Sequence, residues 1–249
     1  MRKYFYAPII MLICGLLASC ISVSEVVTPQ AEIYEQQMAT LSSIPTSTSG
    51  SVEVGDTIHF GGLDWRILEM HDDDTALLIT ENIIFRSAFH NTWESVTWEE
   101  SDIRAYLNSI FLDEFSNGER RRILPKHIHT PDNRWYLLTP GGNDTTDYVF
   151  LLCSEEVVRF FGGGEAWSPG SESLYASSHS RQWWVCDEYN VERMAFNENG
   201  EATWWWLRSP GFDIDFAVSV SEYGRIHIDG SGVHTVGGIR PALLLNLTP

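Results

Sequence analysis

Between residues 160 and 205, the aromatic side chains of Trp167, Tyr175, Trp183, Trp184 and Tyr189 stand among the acids Glu165, Asp187 and Glu188 and several serines. Indole and phenol faces stack on the CH faces of sugar rings, and carboxylates accept hydrogen bonds from sugar hydroxyls. The stretch has few clear helical or strand periods, and irregular loops on a rigid scaffold are where binding residues collect. We therefore expect ligand contacts from Trp167, Tyr175, Trp183, Trp184, Asp187 and Tyr189. The competing expectation is that this loop buries its aromatics as a satellite core.

Other clusters carry less. Asp72-Asp73-Asp74 and the pair Asp213 and Asp215 are rich in oxygen, but calcium takes about 6–8 oxygen ligands and no EF-hand spacing is present. Solvated turns are the better reading. His127-x-His129, with Asp132 nearby, puts two imidazoles on one side of an extended chain, a start for zinc or copper. No third ligand can be named, and a solvated loop is preferred. No Gly-x-Ser-x-Gly elbow and no HExxH motif occurs. Gly162-Gly163-Gly164 follows a helical pattern instead of opening one, so it makes no phosphate cradle. Carboxylates are plentiful, but glycoside hydrolysis needs two at a fixed separation across a cleft. We expect no metal and no cofactor. Cys153 and Cys186 either pair or stay as buried thiols, and no CxxC supports a zinc-thiolate site.

The elements that must position these residues are short. Thr57–Phe60, Leu63–Leu68 and Ala76–Thr80 read as a meander of strands parted by Gly61-Gly62 and the Asp72–Asp74 loop. Thr97-x-x-Glu100 has the capping-box pattern, and Ile103, Leu107, Ile110 and Phe111 then share one helical face. Ser116-x-x-Glu119 repeats the box for a second short helix that Pro125 stops. Residues 125–146 read as loop. Tyr148–Leu152 is a buried strand, and Ser154-Glu155-Glu156 opens a helix that ends at the glycines. Trp204–Leu207, the alternating Ile214–Val220, Arg225–Ile228 and Ile239–Leu247 are the last strands. The expected class is α+β, helices against a mainly antiparallel sheet with long irregular loops.

The N-terminus gives an address. Arg2 and Lys3 precede an apolar run, Tyr4 to Leu17, shorter than the roughly 20 residues a membrane helix needs. This is the layout of a secretory signal. Leu17-Ala18-Ser19-Cys20 resembles the lipobox of bacterial lipoproteins, which implies cleavage after residue 19 and a lipid on Cys20. Residues 1–19 are then the signal peptide, 20–51 the lipidated cysteine and a polar tether, and 52–249 the globular domain. The expected location is the outer face of the cell membrane. The net charge of −18 repels nucleic acid, which is set aside as a partner.

A longer resemblance rests on motifs in a fixed order. They are Gly55-Asp56-x-Ile58-x-Phe60-Gly61, Trp65-Arg66-Ile67-Leu68, Thr97 to Arg104 with Leu107-Asn108, Thr146 to Leu152, Trp205-Trp206-Leu207-Arg208-Ser209-Pro210-Gly211, and Gly238-Ile239-Arg240-Pro241-Ala242-Leu243. From about residue 55 to 247 the chain resembles the DUF6273 family of bacterial extracellular domains, whose function is not established. More loosely, its ending is similar to the close of the C-type-lectin-like fold of formylglycine-generating enzymes. The copper-binding cysteine pair of that oxidase is missing, because no cysteine follows Cys186. Trp206, Arg208, Gly211 and Arg240 have a structural reading: a guanidinium at a strand edge can satisfy loop carbonyls while its stem is buried. The sequence thus points to a non-catalytic surface lipoprotein that binds a glycan, a cell-wall fragment or a protein. The alternatives are an extracellular hydrolase of cell-wall or glycan substrates and a structural envelope protein.

Overall fold

Two glycines set the first turn of the domain. Gly61 and Gly62 take φ of 59° and 75°, a region that side chains with a Cβ rarely enter. They join β1 (Thr57–Phe60) to β2 (Leu63–Met70) as an antiparallel hairpin. The computed structural model describes residues 52–136, 139–162, 174–176 and 183–248. After β2, Asp73 accepts from the backbone NH and hydroxyl of Thr75, and Asp74 takes φ 59°. The oxygen cluster is therefore a local turn into β3 (Thr75–Thr80), every residue of which is buried. A three-residue strand that the sequence did not signal, β4 (Phe85–Ser87), follows.

The first helix starts later than its sequence box suggests. Thr97 makes no side-chain cap, and Ser101 instead accepts from the Arg104 NH. α1 (Asp102–Tyr106) runs into a π-helical turn, Leu107–Phe111, and then α2 (Leu112–Glu114). The wider turn shifts the buried face by one residue. Ile110, expected in the core, is 60% exposed, while Phe111, Leu112 and Phe115 are buried. α3 (Asn117–Arg120) carries the expected box, with Ser116 and Glu119 capping each other.

The segment expected as loop from 125 to 146 contains a small hairpin. After β5 (Ile123–Leu124), β6 (Lys126–Ile128) pairs with β7 (Thr145–Asp147). β8 (Val149–Phe150) leads into α4 (Ser154–Phe161). β9 (Leu174–Ala176), β10 (Trp183–Val185) and α5 (Asn190–Arg193) fall in the stretch read as irregular. β11 (Trp205–Pro210), β12 (Phe216–Val220), β13 (Ile226–Gly232), β14 (Gly237–Ile239) and β15 (Ala242–Asn246) complete the chain.

Among the described residues the strands form two main sheets. One runs β1-β2-β3-β15-β5, with β8 also on β15; the other runs β4-β14-β11-β12-β13-β10-β9. Pairing is antiparallel except between β11 and β14. The class is α+β with mostly antiparallel sheets and few helices. Trp205 and Trp206 point to opposite faces of β11, as strand geometry requires, and both are fully buried. β11 is therefore covered on both faces.

The recurrent motif residues hold segments together. Asp147 accepts from the Trp98 indole, the Arg104 guanidinium and the Thr145 hydroxyl. The Asn108 amide donates to the carbonyls of Arg104 and Val149 and accepts from the NH groups of Tyr148 and Val149. Such multiply hydrogen-bonded groups, Asp147 buried and Asn108 half-buried, fix one arrangement of chain. They lock α1 to the start of β8.

Candidate functional site

Three chain segments meet beside β4 and carry one exposed indole. The Trp206 indole Nε1–H donates to Ser87 O at the end of β4. Beyond it, His90 NH donates to Val233 O, Val96 NH to Ile214 O, and Val233 NH to Asp215 O. The loop 88–97 is thereby tied to the β11–β12 turn and to the end of β13. Trp93 projects from this loop and is 64% exposed. Its NH donates to Asp215, and its ring stacks on His234 with centroids 4.9 Å apart and planes 19° apart. An exposed indole held at both its NH and one face is a prepared stacking surface.

The surroundings are acidic. His90 Nε2 lies 2.8 Å from Glu94 and Nδ1 lies 3.1 Å from Asp102, the latter contact off the hydrogen-bonding direction. The Thr92 hydroxyl, and after it His90, holds the Glu94 carboxyl below its ordinary value. Asn91 donates twice to Asp102. The β11–β12 turn adds Asp213, Asp215 and the exposed ring of Phe212, which packs on Phe216 and Tyr136. The Tyr136 hydroxyl donates to Asp229, and burial and then that carboxylate raise its pKa.

The residues singled out in the sequence scatter. Trp167 and Cys20 lie outside the described residues. Tyr175 stands opposite Trp184 in the β9–β10 register. Trp184 stacks on His227, centroids 4.1 Å apart and planes 9° apart, and is half-buried. Burial pushes the pKa of His227 down. Trp183 is half-buried against the core, and its NH donates to Asp229. Asp187 is committed to Arg193 across 2.8 Å, with side chains 2% and 0% exposed. Tyr189 is exposed but lies over Gly162, where a Cβ would come 2.3 Å from its ring. β10 thus presents Trp184 and Trp183, while Asp187 serves the packing of α5.

The motif residues behave as structural anchors. Arg208 donates to Thr130 Oγ1, His129 O, Leu151 O and Glu156. Arg240 lies between the rings of Phe161 and Trp205, 5.2 Å from each centroid, and its Nε donates to Thr80 O. Gly211 accommodates Asp229 O, which a Cβ would meet at 2.3 Å. His127 and His129 face one carboxylate, that of Asp144 and not Asp132, at 3.0 and 2.7 Å. Asp132 instead accepts from Gly141 NH. Among the described residues, no group of three or more His, Cys, Asp or Glu side chains is arranged to hold a metal. Cys153 and Cys186 are both free thiols; burial pushes Cys153 up to about 12.

Trp93 was not singled out in the sequence. The available signal was a lone large aromatic inside the polar run His90-Asn91-Thr92-Trp93-Glu94-Ser95. Among the described residues no helix is long and apolar enough to cross a membrane. A family model described as a domain of unknown function, DUF6273, matches residues 73–247. No curated protein and no solved structure matches the chain.

Proposed function

The chain belongs to the DUF6273 family, and we propose that this member is a non-catalytic binding module, held on the outer face of the membrane by a lipid on Cys20. Its ligand is a glycan or glycan-bearing cell-wall fragment, and Trp93 is the centre of the platform. The observation that carries this reading is the fixed, exposed indole, with Asp215 on its NH and His234 on its ring. Sugar CH faces stack on such a ring, and Glu94, Asp213 and Asp215 are acceptors for hydroxyls around it. The same carboxylates disfavour acidic polysaccharides. The signal-like N-terminus and the lipobox resemblance support the location.

The hydrolase reading has one supporting feature, His90 between Glu94 and Asp102. Both ring nitrogens face carboxylates, and no serine or cysteine is hydrogen-bonded to this histidine among the described residues. A nucleophile and base within reach of each other, as covalent catalysis requires, are not assembled there. Binding is the better-supported function. We also read the domain as C-type-lectin-like. The parallel pairing of Trp205 with Gly238 sets Arg240 against Trp205, so the two motifs behind that likeness form one unit.

Retention of the full chain on purified cell wall and a glycan panel, with and without calcium, tests the proposal. Saturable retention that Trp93→Ala abolishes and Trp184→Ala leaves intact is the expected result. Loss in Trp184→Ala alone would move the site to β10. No retention under any condition would sink the glycan reading.

A further inference from the structure

A cavity of about 300 Å³ opens between β4 and the helical segment that ends at Phe115, and it is separate from the Trp93 platform. Four rings form its walls: Phe85, Tyr106, Phe111 and Phe115. They stand edge to face in two pairs, Phe85 with Tyr106 at 5.3 Å and Phe111 with Phe115 at 5.5 Å. Leu63 and Ile84 add aliphatic surface, and Glu114 is the one ionisable carboxyl on the lining. Glu114 is exposed, and no basic side chain lines the cavity.

Two backbone features shape this space. The π-helical turn Leu107–Phe111 carries Phe111, and after it Glu114, onto the cavity wall while turning Ile110 outward. Such turns interrupt the regular hydrogen-bond ladder and are frequent at functional sites. Gly61 is the second. A Cβ there would sit 2.2 Å from the Phe115 ring, so the ring keeps its place only beside a glycine.

We propose that this cavity binds a small molecule with an apolar body and one positively charged nitrogen, such as an arylalkylamine or a quaternary ammonium. The volume sits at the lower end of the roughly 300–1,000 Å³ of small-molecule sites. Aromatic faces attract cations through their quadrupole. The lone Glu114 carboxylate supplies a counter-charge on the lining, and a chain of net charge −18 repels anions. The apolar body fills the aromatic walls and the nitrogen faces Glu114.

The test titrates the full chain with phenethylamine, its neutral isostere 2-phenylethanol and the anion phenylacetate, followed by ligand-detected NMR and calorimetry. Phenethylamine is expected to saturate one site at least about tenfold more tightly than 2-phenylethanol, a charge-assisted margin of ordinary size, with phenylacetate weakest. Glu114→Gln should reduce that preference, leaving the part the aromatic walls supply, and leave 2-phenylethanol unchanged. Ile84→Trp should remove binding of both by filling the cavity. If Ile84→Trp fails to fold, the Glu114→Gln comparison still decides, because that side chain is exposed. Absence of saturation by any of the three probes overturns the proposal, as does phenylacetate binding as tightly as the amine. A preference for the amine that is undiminished in Glu114→Gln also overturns it.

Discussion

Trp93 and His234 lie ring on ring, 4.9 Å between centroids, at the junction of the loop 88–97 with the end of β13. The indole NH is fixed at the same time by Asp215. An indole so held has already lost the rotamer freedom that a ligand would otherwise have to freeze, a cost of about 0.5–1.5 kcal/mol per side chain. Asp215→Ala should therefore weaken glycan retention by up to about tenfold. Asp215→Asn, which keeps an acceptor, should weaken it less. Dissociation constants for the two variants measure the difference; equal and unchanged constants would show that the fixed rotamer does not matter.

Asp187 and Arg193 make a prediction of the opposite kind. Their ion pair is buried, and Arg193 also donates to Gly162 O and Asn190. Removing one member of a buried pair leaves an uncompensated charge and costs about 3–5 kcal/mol. Asp187→Ala should lower the denaturation midpoint sharply and leave the ligand affinity of the folded fraction as it was. A stable variant that no longer binds would return Asp187 to the ligand site.

Two buried arginines should respond differently to the same substitution. Arg208 satisfies two carbonyls, a hydroxyl and the Glu156 carboxylate, so Arg208→Met strands all four and should cost about 3–5 kcal/mol. Arg240 donates through Nε alone, and its terminal nitrogens have no protein partner among the described residues. Burial, then the neighbouring Arg66, pulls its pKa down to about 9. Met has similar volume and suits the Phe161–Trp205 slot. Arg240→Met should be neutral or stabilising, and paired chemical denaturation of both variants checks the contrast.

Acid should loosen the β6–β7 hairpin. The His129 hydrogen bond, then the charges of His129 and His127, hold the Asp144 carboxyl below its ordinary 3.8. A folded-state pKa lowered in this way stabilises the fold above the unfolded value, and the contribution is lost as pH falls through the folded one. Asp144→Asn should therefore be the less stable of the two at pH 5, and the difference should shrink as pH falls below 3.8 through the lowered folded-state pKa. The carboxyl chemical shift of Asp144 should titrate with a midpoint under 3.8; a midpoint above it would refute the coupling.

Local chemistry was legible where both partners stand within a few residues. The Ser116–Glu119 box, the alternation that became β12 and the Gly61-Gly62 turn all work over that range. Three-residue strands such as β4, β6, β7, β10 and β14 were not legible, since three residues show no period. The first helix began at Ser101 and not at Thr97, because the Trp98–Glu100 turn bonds as a separate tighter helix. Trp93 was missed because its partners, Asp215 and His234, arrive from distant strands. The aromatic neighbours of Asp187 pointed to a ligand, and nothing local signalled the ion pair with Arg193 that the fold assembles.

β15 occupies the interior of its sheet, with β3 on one side and β5 and β8 on the other. The order of synthesis therefore opposes the order of assembly. Residues 75–80 leave the ribosome early, yet their outer edge stays unmet until residues 242–246 follow. Until then β3 presents an open, apolar edge, the kind that pairs with other chains. Closing the sheet also spans most of the domain's length, which makes for slow folding. Late closure of this kind is compatible with the export proposed above, which needs a chain not yet folded. Truncations that remove β15 should yield aggregates and not a smaller domain.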